Sequence, residues 1–252
     1  MGSVYEATIK RYYPNAMTTN QAVDLFLTML ERKLGLRPEQ IMAADSICSD
    51  DLNSIQYPKR ALEMLGPFRM GGLNGFPFTG LTGMGAFAHH VPDGGAVFVF
   101  HGPHVGISKS GEFGEIVRPG QEGRSACCGA AKAALSKLLR GEIKPGEVSE
   151  LDYQQNQIEQ LFLQAEERIR TAKEPLQEAT EVMYEAIAGR VSLLAERTNY
   201  PTRWVILVGG ILINTDRCEG SWVSVRRFSF CDAETDEETD LLPAMEAELA
   251  GL

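Results

Sequence analysis

Hydrophobic positions recur along this chain in two rhythms, one helical and one suited to strands. The segment TTNQAVDLFLTMLERKLGL, from Thr18, sets Ala22, Val23, Phe26, Leu27, Leu30 and Leu34 on one face. It predicts an amphipathic helix that starts at a Thr cap. QIMAADSIC follows as an apolar strand. SIQYPKRALEMLG reads as a short helix closed by Gly66, and FRMGGLNGFPFTG as a strand running into a Gly-rich loop. LTGMGAFAHHV predicts a short helix stopped by PDGG, and AVFVFHGPHVGIS an apolar strand broken at Gly102-Pro103. GISKSGEFGEIVRPG predicts a small hairpin. SACCGAAKAALSKLLRG predicts a helix with Ser125 as N-cap and Gly141 as stop. The spacing is helical from Glu147 to Asn199, with a break at Pro175. RWVILVGGILINTD is the strongest strand, and SWVSVRRFSF alternates as a late one.

Such alternation predicts an α/β fold: a mostly parallel central sheet flanked by helices, with a hairpin insertion and a late antiparallel strand. Residues 1–231 are expected to form a single domain. Residues 232–252, which open with DAETDEETD, are expected to be a flexible acidic tail.

Composition narrows the function. A chain of 252 residues can bury a sizeable core without staples. Its formal net charge of −10 argues against nucleic acid as a partner. No apolar run reaches the ~18 residues of a membrane span, and no signal-peptide pattern is present. A soluble protein of plastid or cytoplasm is the expectation, with any targeting segment lying outside this chain. Five cysteines are too few for a disulfide framework and suit a reducing compartment.

In parallel sheets, ligands sit beyond the carboxyl ends of the strands. That rule selects Cys48 with Asp50, the Gly-rich loop, and His104, with ACCGA nearby if the hairpin folds back. Cys48, His104 and one of Cys127 or Cys128 would make a borderline-soft site suited to zinc, with a fourth position open. Adjacent helical positions point about 100° apart, so one of the two neighbouring cysteines binds. His90 is the rival histidine, on a helix running away from this edge. His89 and His101 are expected in packing or surface roles, and Cys218 and Cys231 as plain structural thiols. The glycines of GGLNGFPFTGLTGMG match no phosphate loop. Ile158, Leu161, Phe162 and Ala165 read as core or dimer contacts.

CSDDLN, GGLNGFPFTGLTGMGAFAHHVPDGG, HGPHVGIS and RPGQEGRSACCGA closely resemble the limiting-carbon-dioxide-inducible protein B family, also called theta-type carbonic anhydrases. The resemblance spans roughly residues 22–230. It implies a fold like that of the β-type carbonic anhydrases, which are zinc enzymes, usually dimeric, with a Cys, His, Cys ligand set. The β-type pattern Cys-x-Asp-x-Arg stands here as Cys48-Ser49-Asp50, with Leu52 in the arginine's place. In the pattern His-x-x-Cys-Gly, Cys128-Gly129 is present and Ser125 replaces the histidine. An insertion from Val105 to Ala126 would make His104 and Cys128 the second and third ligands. Arg118, rather than Arg60 or Arg69, is then the expected partner of Asp50.

The function implied is reversible hydration of carbon dioxide to bicarbonate, for inorganic-carbon acquisition. One zinc ion would sit on Cys48, His104 and Cys128. Asp50 would orient the hydroxide, or would close the site if its arginine moved away. Phe76 and Phe78 would suit a small nonpolar substrate, and a homodimer would bury the apolar excess of the long helices. Two alternatives stand beside this reading. One is a catalytically silent zinc-binding regulatory or assembly protein of the same fold, and the other a thiol enzyme with Cys128 as nucleophile and His104 as base.

Overall fold

The first strong rhythm in the sequence folds as its chemistry dictates. Thr18 accepts the Gln21 N–H, Gln21 reaches back to the Thr18 N–H, and this capping box opens a helix that ends at Gly35 with φ 68°. A computed structural model describes residues 4–250. Along the chain run α1 (Glu6–Tyr12), β1 (Met17–Thr18), α2 (Thr19–Leu34), β2 (Ile41–Ser46), α3 (Asp51–Ile55), β3 (Leu65–Arg69) and α4 (Gly80–Ala88). Then come β4 (Ala96–His101), β5 (His104–Gly106), β6 (Glu115–Val117), β7 (Arg124–Ala126) and α5 (Gly129–Arg140). The chain continues through α6 (Tyr153–Gln164), α7 (Glu166–Thr171), α8 (Pro175–Glu196), β8 (Trp204–Asn214), β9 (Ser221–Asp232), β10 (Glu237–Asp240) and α9 (Leu242–Ala250).

The sheet is ordered β1-β9-β8-β4-β2-β3, with β10 beside β9 and β5 beside β8. Strands β2, β3, β4, β5 and β8 pair in parallel, whereas β1, β9 and β10 are antiparallel to their neighbours. Period-two alternation divides the apolar residues between the faces. Met42, Ala44, Val97, Val99, Val205 and Leu207 pack with the α4–α8 layer. Ile41, Ala43, Phe98, Ile206 and Val208 pack with α2 and α9. Burying Phe26, Leu27 and Leu30 of α2 contributes roughly 1.5–3 kcal/mol each.

Several expectations need correction. Residues 237–249 are no flexible tail. Strand β10 pairs its backbone with β9 in the register Glu237↔Asp232, and Leu241 and Met245 are buried against α2 and the sheet. Ser125 caps no helix: it lies in β7, and Cys128 is the N-cap of α5. Gly66 closes no helix either. The segment 51–63 divides into α3 and a 3-10 turn, Lys59–Glu63, and Gly66 sits inside β3. The expected hairpin is reduced to an antiparallel bridge, Ile107 opposite Phe113, and the longer pairing lies further on, between β6 and β7 with Ile116 opposite Ser125. Ile158 and Phe162 are fully buried in this chain's own core, so they are not free for a dimer contact. The break at Pro175 falls between α7 and α8, with Pro175 in the first turn of α8.

Candidate metal centre

The carboxyl ends of β2 and β4 and the start of α5 meet at one edge of the sheet. Cys48 lies just beyond β2, and His104 opens β5 after the strand has broken at Gly102-Pro103. The break needs glycine. Gly102 has φ 152°, and a Cβ there would lie 1.7 Å from the Gly210 carbonyl oxygen. The Gly-rich loop wedges into the same corner, where Gly75, at φ 90°, leaves no room for a side chain beside the Gly102 carbonyl.

The geometry selects among the cysteines and histidines. One ligand atom from each of Cys48, His104 and Cys128 lies within 4.8 Å of the others, and all three residues are buried. The two sulfurs are 3.9 Å apart. His104 Nδ1 shares a 2.8 Å hydrogen bond with Asn214 Oδ1, while its Nε2 is buried with no partner among the described residues. An amide oxygen can only accept, so Nδ1 carries the hydrogen and Nε2 presents a lone pair. Two sulfurs and one such nitrogen fit a divalent ion with an open fourth position.

Electrostatics divide the two thiols. The hydrogen bond from Cys48 lowers the pKa of the Cys128 thiol against the cost of burial. Backbone N–H groups of Ala131 and Ala130, in the first turn of α5, act the same way. Cys48 is pushed up, first by that shared hydrogen bond and then by burial. The Asn74 N–H donates to Cys48 Sγ at 3.1 Å. Both polar atoms of the Asn74 side chain are buried without a partner among the described residues.

Asp50 lies beside this set. Arg118 grips it through two hydrogen bonds, Nη1 to Oδ1 at 2.9 Å and Nη2 to Oδ2 at 2.6 Å. Burial pushes the Asp50 carboxyl up, but the Arg118 hydrogen bonds, neighbouring positive charge and the Leu52 N–H outweigh it, leaving a pKa of about 2. The alternatives are engaged elsewhere, Arg60 with Asp24 and Arg69 with Asp45. Asp216 anchors the Arg118 segment by accepting the N–H groups of Lys109 and Val117, both at 2.7 Å.

The remaining candidates separate. His90 is exposed and meets the Phe68 ring. His89 is exposed too, and His101 is buried and stacked on Tyr184. Cys127 Sγ lies 3.6 Å from His104 Nδ1, the nitrogen already held by Asn214, and packs on Leu52 and Ile116. Cys218, remote in sequence, packs on that same small cluster. Cys231 lies on β9 against the α4–α8 core. Phe76 shares one apolar cluster with Cys48 and Cys128, and Phe78 packs on it. Sequence reasoning missed Asn214, Asn53, Gln56 and Asn74, since a single amide has no spacing signature. Asn53 donates to the Cys48 carbonyl at 3.1 Å, and Asn214 Nδ2 donates to Gln56 Oε1 at 3.1 Å.

With this geometry in place, comparison decides the family. Residues 17–232 match the family described as limiting CO2-inducible proteins B/C β-carbonic anhydrases. The chain belongs to this family. Among solved structures, it is similar to PtLCIB4, a homolog of the limiting CO2-inducible protein LCIB, at 29% identity and a TM-score of 0.81. That match covers 93% of this chain and 98% of the other. The PtLCIB4 H88A mutant matches at 28% identity and a TM-score of 0.84, covering 96% and 100% of the two chains. The structure of LCIB itself shares the fold, at 21% identity and a TM-score of 0.66 over 91% and 95%. No curated protein matches the chain in sequence. Membership of the limiting CO2-inducible B/C family thus accounts for the α/β sheet, and this chain's own geometry places the Cys48, His104 and Cys128 group at its edge.

Proposed function

We propose that this protein is a carbonic anhydrase that holds one zinc ion on Cys48, His104 and Cys128 and interconverts carbon dioxide and bicarbonate. The observation that carries the reading is the convergence of these three ligand atoms beside the Asp50–Arg118 pair. Zinc in such a donor set supplies a hydroxide nucleophile at neutral pH by lowering the pKa of water to about 7, a magnitude known from carbonic anhydrase itself.

The protein's own groups do the rest. Asp50 is ionised and therefore only accepts hydrogen bonds. Its Oδ2 keeps a lone pair beyond the one Arg118 uses, free to take the O–H of a nucleophile at the open position and aim it at carbon. Arg118 prevents Asp50 from turning, the role that Leu52 cannot fill. Asn214 fixes the tautomer and ring plane of His104. Phe76 and Phe78, with ring centroids 5.2 Å apart, give a nonpolar substrate an apolar approach.

Stopped-flow hydration of carbon dioxide by zinc-loaded protein tests this. Turnover well above buffer is expected; a buffer-level rate with zinc bound would leave a zinc-binding protein without catalysis. Inorganic-carbon acquisition is the proposed setting. Among the described residues, no helix is long and apolar enough to cross a membrane.

The homodimer is proposed through a different surface from the long helices. Strand β3 has β2 on one side only, and the run leading into it exposes Ile55 (58%), Leu62 (61%) and Leu65 (41%). An unpaired edge carrying apolar side chains is a natural site for a second copy. Sedimentation of wild type and Leu62→Glu should show a dimer and a monomer.

A further inference from the structure

On the α2 face of the sheet, a cavity of about 70 Å³ lies between α2, the turn Lys59–Glu63 and the strands. Its walls are apolar: Ala22 and Phe26 of α2, Ala43 of β2, Phe98 of β4, and Met64. Protein cores leave few voids larger than a water molecule. Here four alanines, Ala22, Ala43, Ala44 and Ala61, stand where larger side chains would close the gap. Half-buried Tyr57 and Pro58 also line the cavity, offering a way in.

One end of the cavity is polar, and its groups belong to the metal centre. Asn53, Gln56 and Asn214 line it. Asn214 holds His104 Nδ1, Asn53 holds the Cys48 carbonyl, and Gln56 holds Asn214. Each amide nitrogen has two hydrogens. Asn53 Nδ2 uses one on Cys48, and Gln56 Nε2 uses one on the Gly220 carbonyl at 2.7 Å. Among the described residues, one hydrogen on each remains for an acceptor.

These features define an occupant. The volume is about half that of the ~150 Å³ apolar cavity that accepts the six carbons of benzene, so about three heavy atoms fit. The walls exclude an anion, since the buried Asp45 carboxylate lies among them and takes the nearby Arg69 for itself. What fits is a small, uncharged, linear molecule with an acceptor at its end. We propose that this cavity is a second, non-catalytic site for carbon dioxide, coupled to the metal centre through Gln56, Asn214 and His104. The inference rests on the carbonic anhydrase reading for the identity of the ligand, while the cavity and its amides stand without it.

Nitrous oxide is the probe, being linear, neutral and of the same size, yet unable to hydrate or form bicarbonate. Crystals of zinc-loaded and metal-free protein would be pressurised with it. Density in this cavity in both forms is expected, and water alone there would overturn the site. The second measurement is the rate of zinc release to a chelator in buffer saturated with nitrous oxide or with nitrogen. A change of about 5-fold, the low end for coupled sites, is expected in wild type and not in Ala22→Leu, whose side chain fills the cavity. Ala43→Val is the milder filling variant should Ala22→Leu not fold. Nitrous oxide seated in the cavity with unchanged zinc release would overturn the coupling. An empty cavity leaves the metal-centre reading intact, whereas purified protein that binds no zinc removes that reading and not the cavity.

Discussion

The two faces of the central sheet are finished differently. On the α4–α8 face, Phe87, Phe162, Met183, Ile187 and Val191 are completely buried, and this layer runs without interruption to Cys48 and Cys128. On the α2 face, the packing stops at a cavity bordered by a buried carboxylate and three amides. The dense face supplies rigidity around the thiols, because close-packed side chains have no second arrangement nearby. The amide face supplies orientation, because hydrogen bonds fix direction where apolar contact cannot. A metal site needs both, and here they come from opposite sides of one sheet.

That division can be broken at points of decreasing severity. Cys48→Ser should have the largest effect, since it removes a ligand outright. Metal content measured on purified protein should fall from one ion per chain to a trace, while circular dichroism keeps the native spectrum. Phe162→Ala attacks the dense face and should cost about 3–5 kcal/mol in urea unfolding. Per chain that folds, its zinc affinity should change little. Asn214→Ala reverses the pattern. It should weaken zinc binding by about 10–100-fold through the loss of the His104 partner, with a smaller change in stability. Asn214→Asp, which keeps the accepting oxygen, should recover most of that affinity.

The mildest test uses Asp45. Burial raises its pKa to about 6 despite the opposing Arg69 charge and hydrogen bond and the Tyr57 hydrogen bond. The folded state therefore holds a proton that the unfolded chain gives up near pH 3.8. The resulting penalty is absent below that value, grows as pH rises, and is complete above about pH 6. Asp45→Asn should thus stabilise the protein near neutrality by about 1–3 kcal/mol and have little effect at pH 4. Equal gains at pH 4 and pH 7 would show that Asp45 is not the titrating group.

The dense face was the more legible in sequence. Val97, Val99, Val205 and Leu207 lie in apolar runs, whereas on the other face the Thr cap and helical spacing announced α2 but not the cavity beside it. The grouping of Cys48, His104 and Cys128 was legible as a candidate, because thiols and imidazoles are few and strand ends are where ligands collect. Arg118 could be placed through its position before the cysteines. Asn214 could not. It acts only because β8 pairs with β5, in the register Gly106↔Asn214 and His104↔Leu212, and that pairing joins segments about a hundred residues apart. The acidic segment misled for another reason. All four residues of β10 are exposed, so its charge masks a backbone pairing anchored, among the described residues, by buried Leu241 and Met245 with Leu242 and Leu249 packed beside them.

The sulfurs of Cys48 and Cys128 are 3.9 Å apart, yet their residues are 80 positions apart in the chain. An ion shared between them would act as a cross-link. The loop it closes contains α3, β3, α4, β4, β5 and the β6–β7 hairpin, nearly a third of the protein. By chain entropy, tying off a loop of that length withdraws about 4.5 kcal/mol of freedom from the unfolded state. Zinc in this protein would therefore be as much a fastener as a reagent, and heat resistance should follow metal occupancy even in a variant that has lost all turnover.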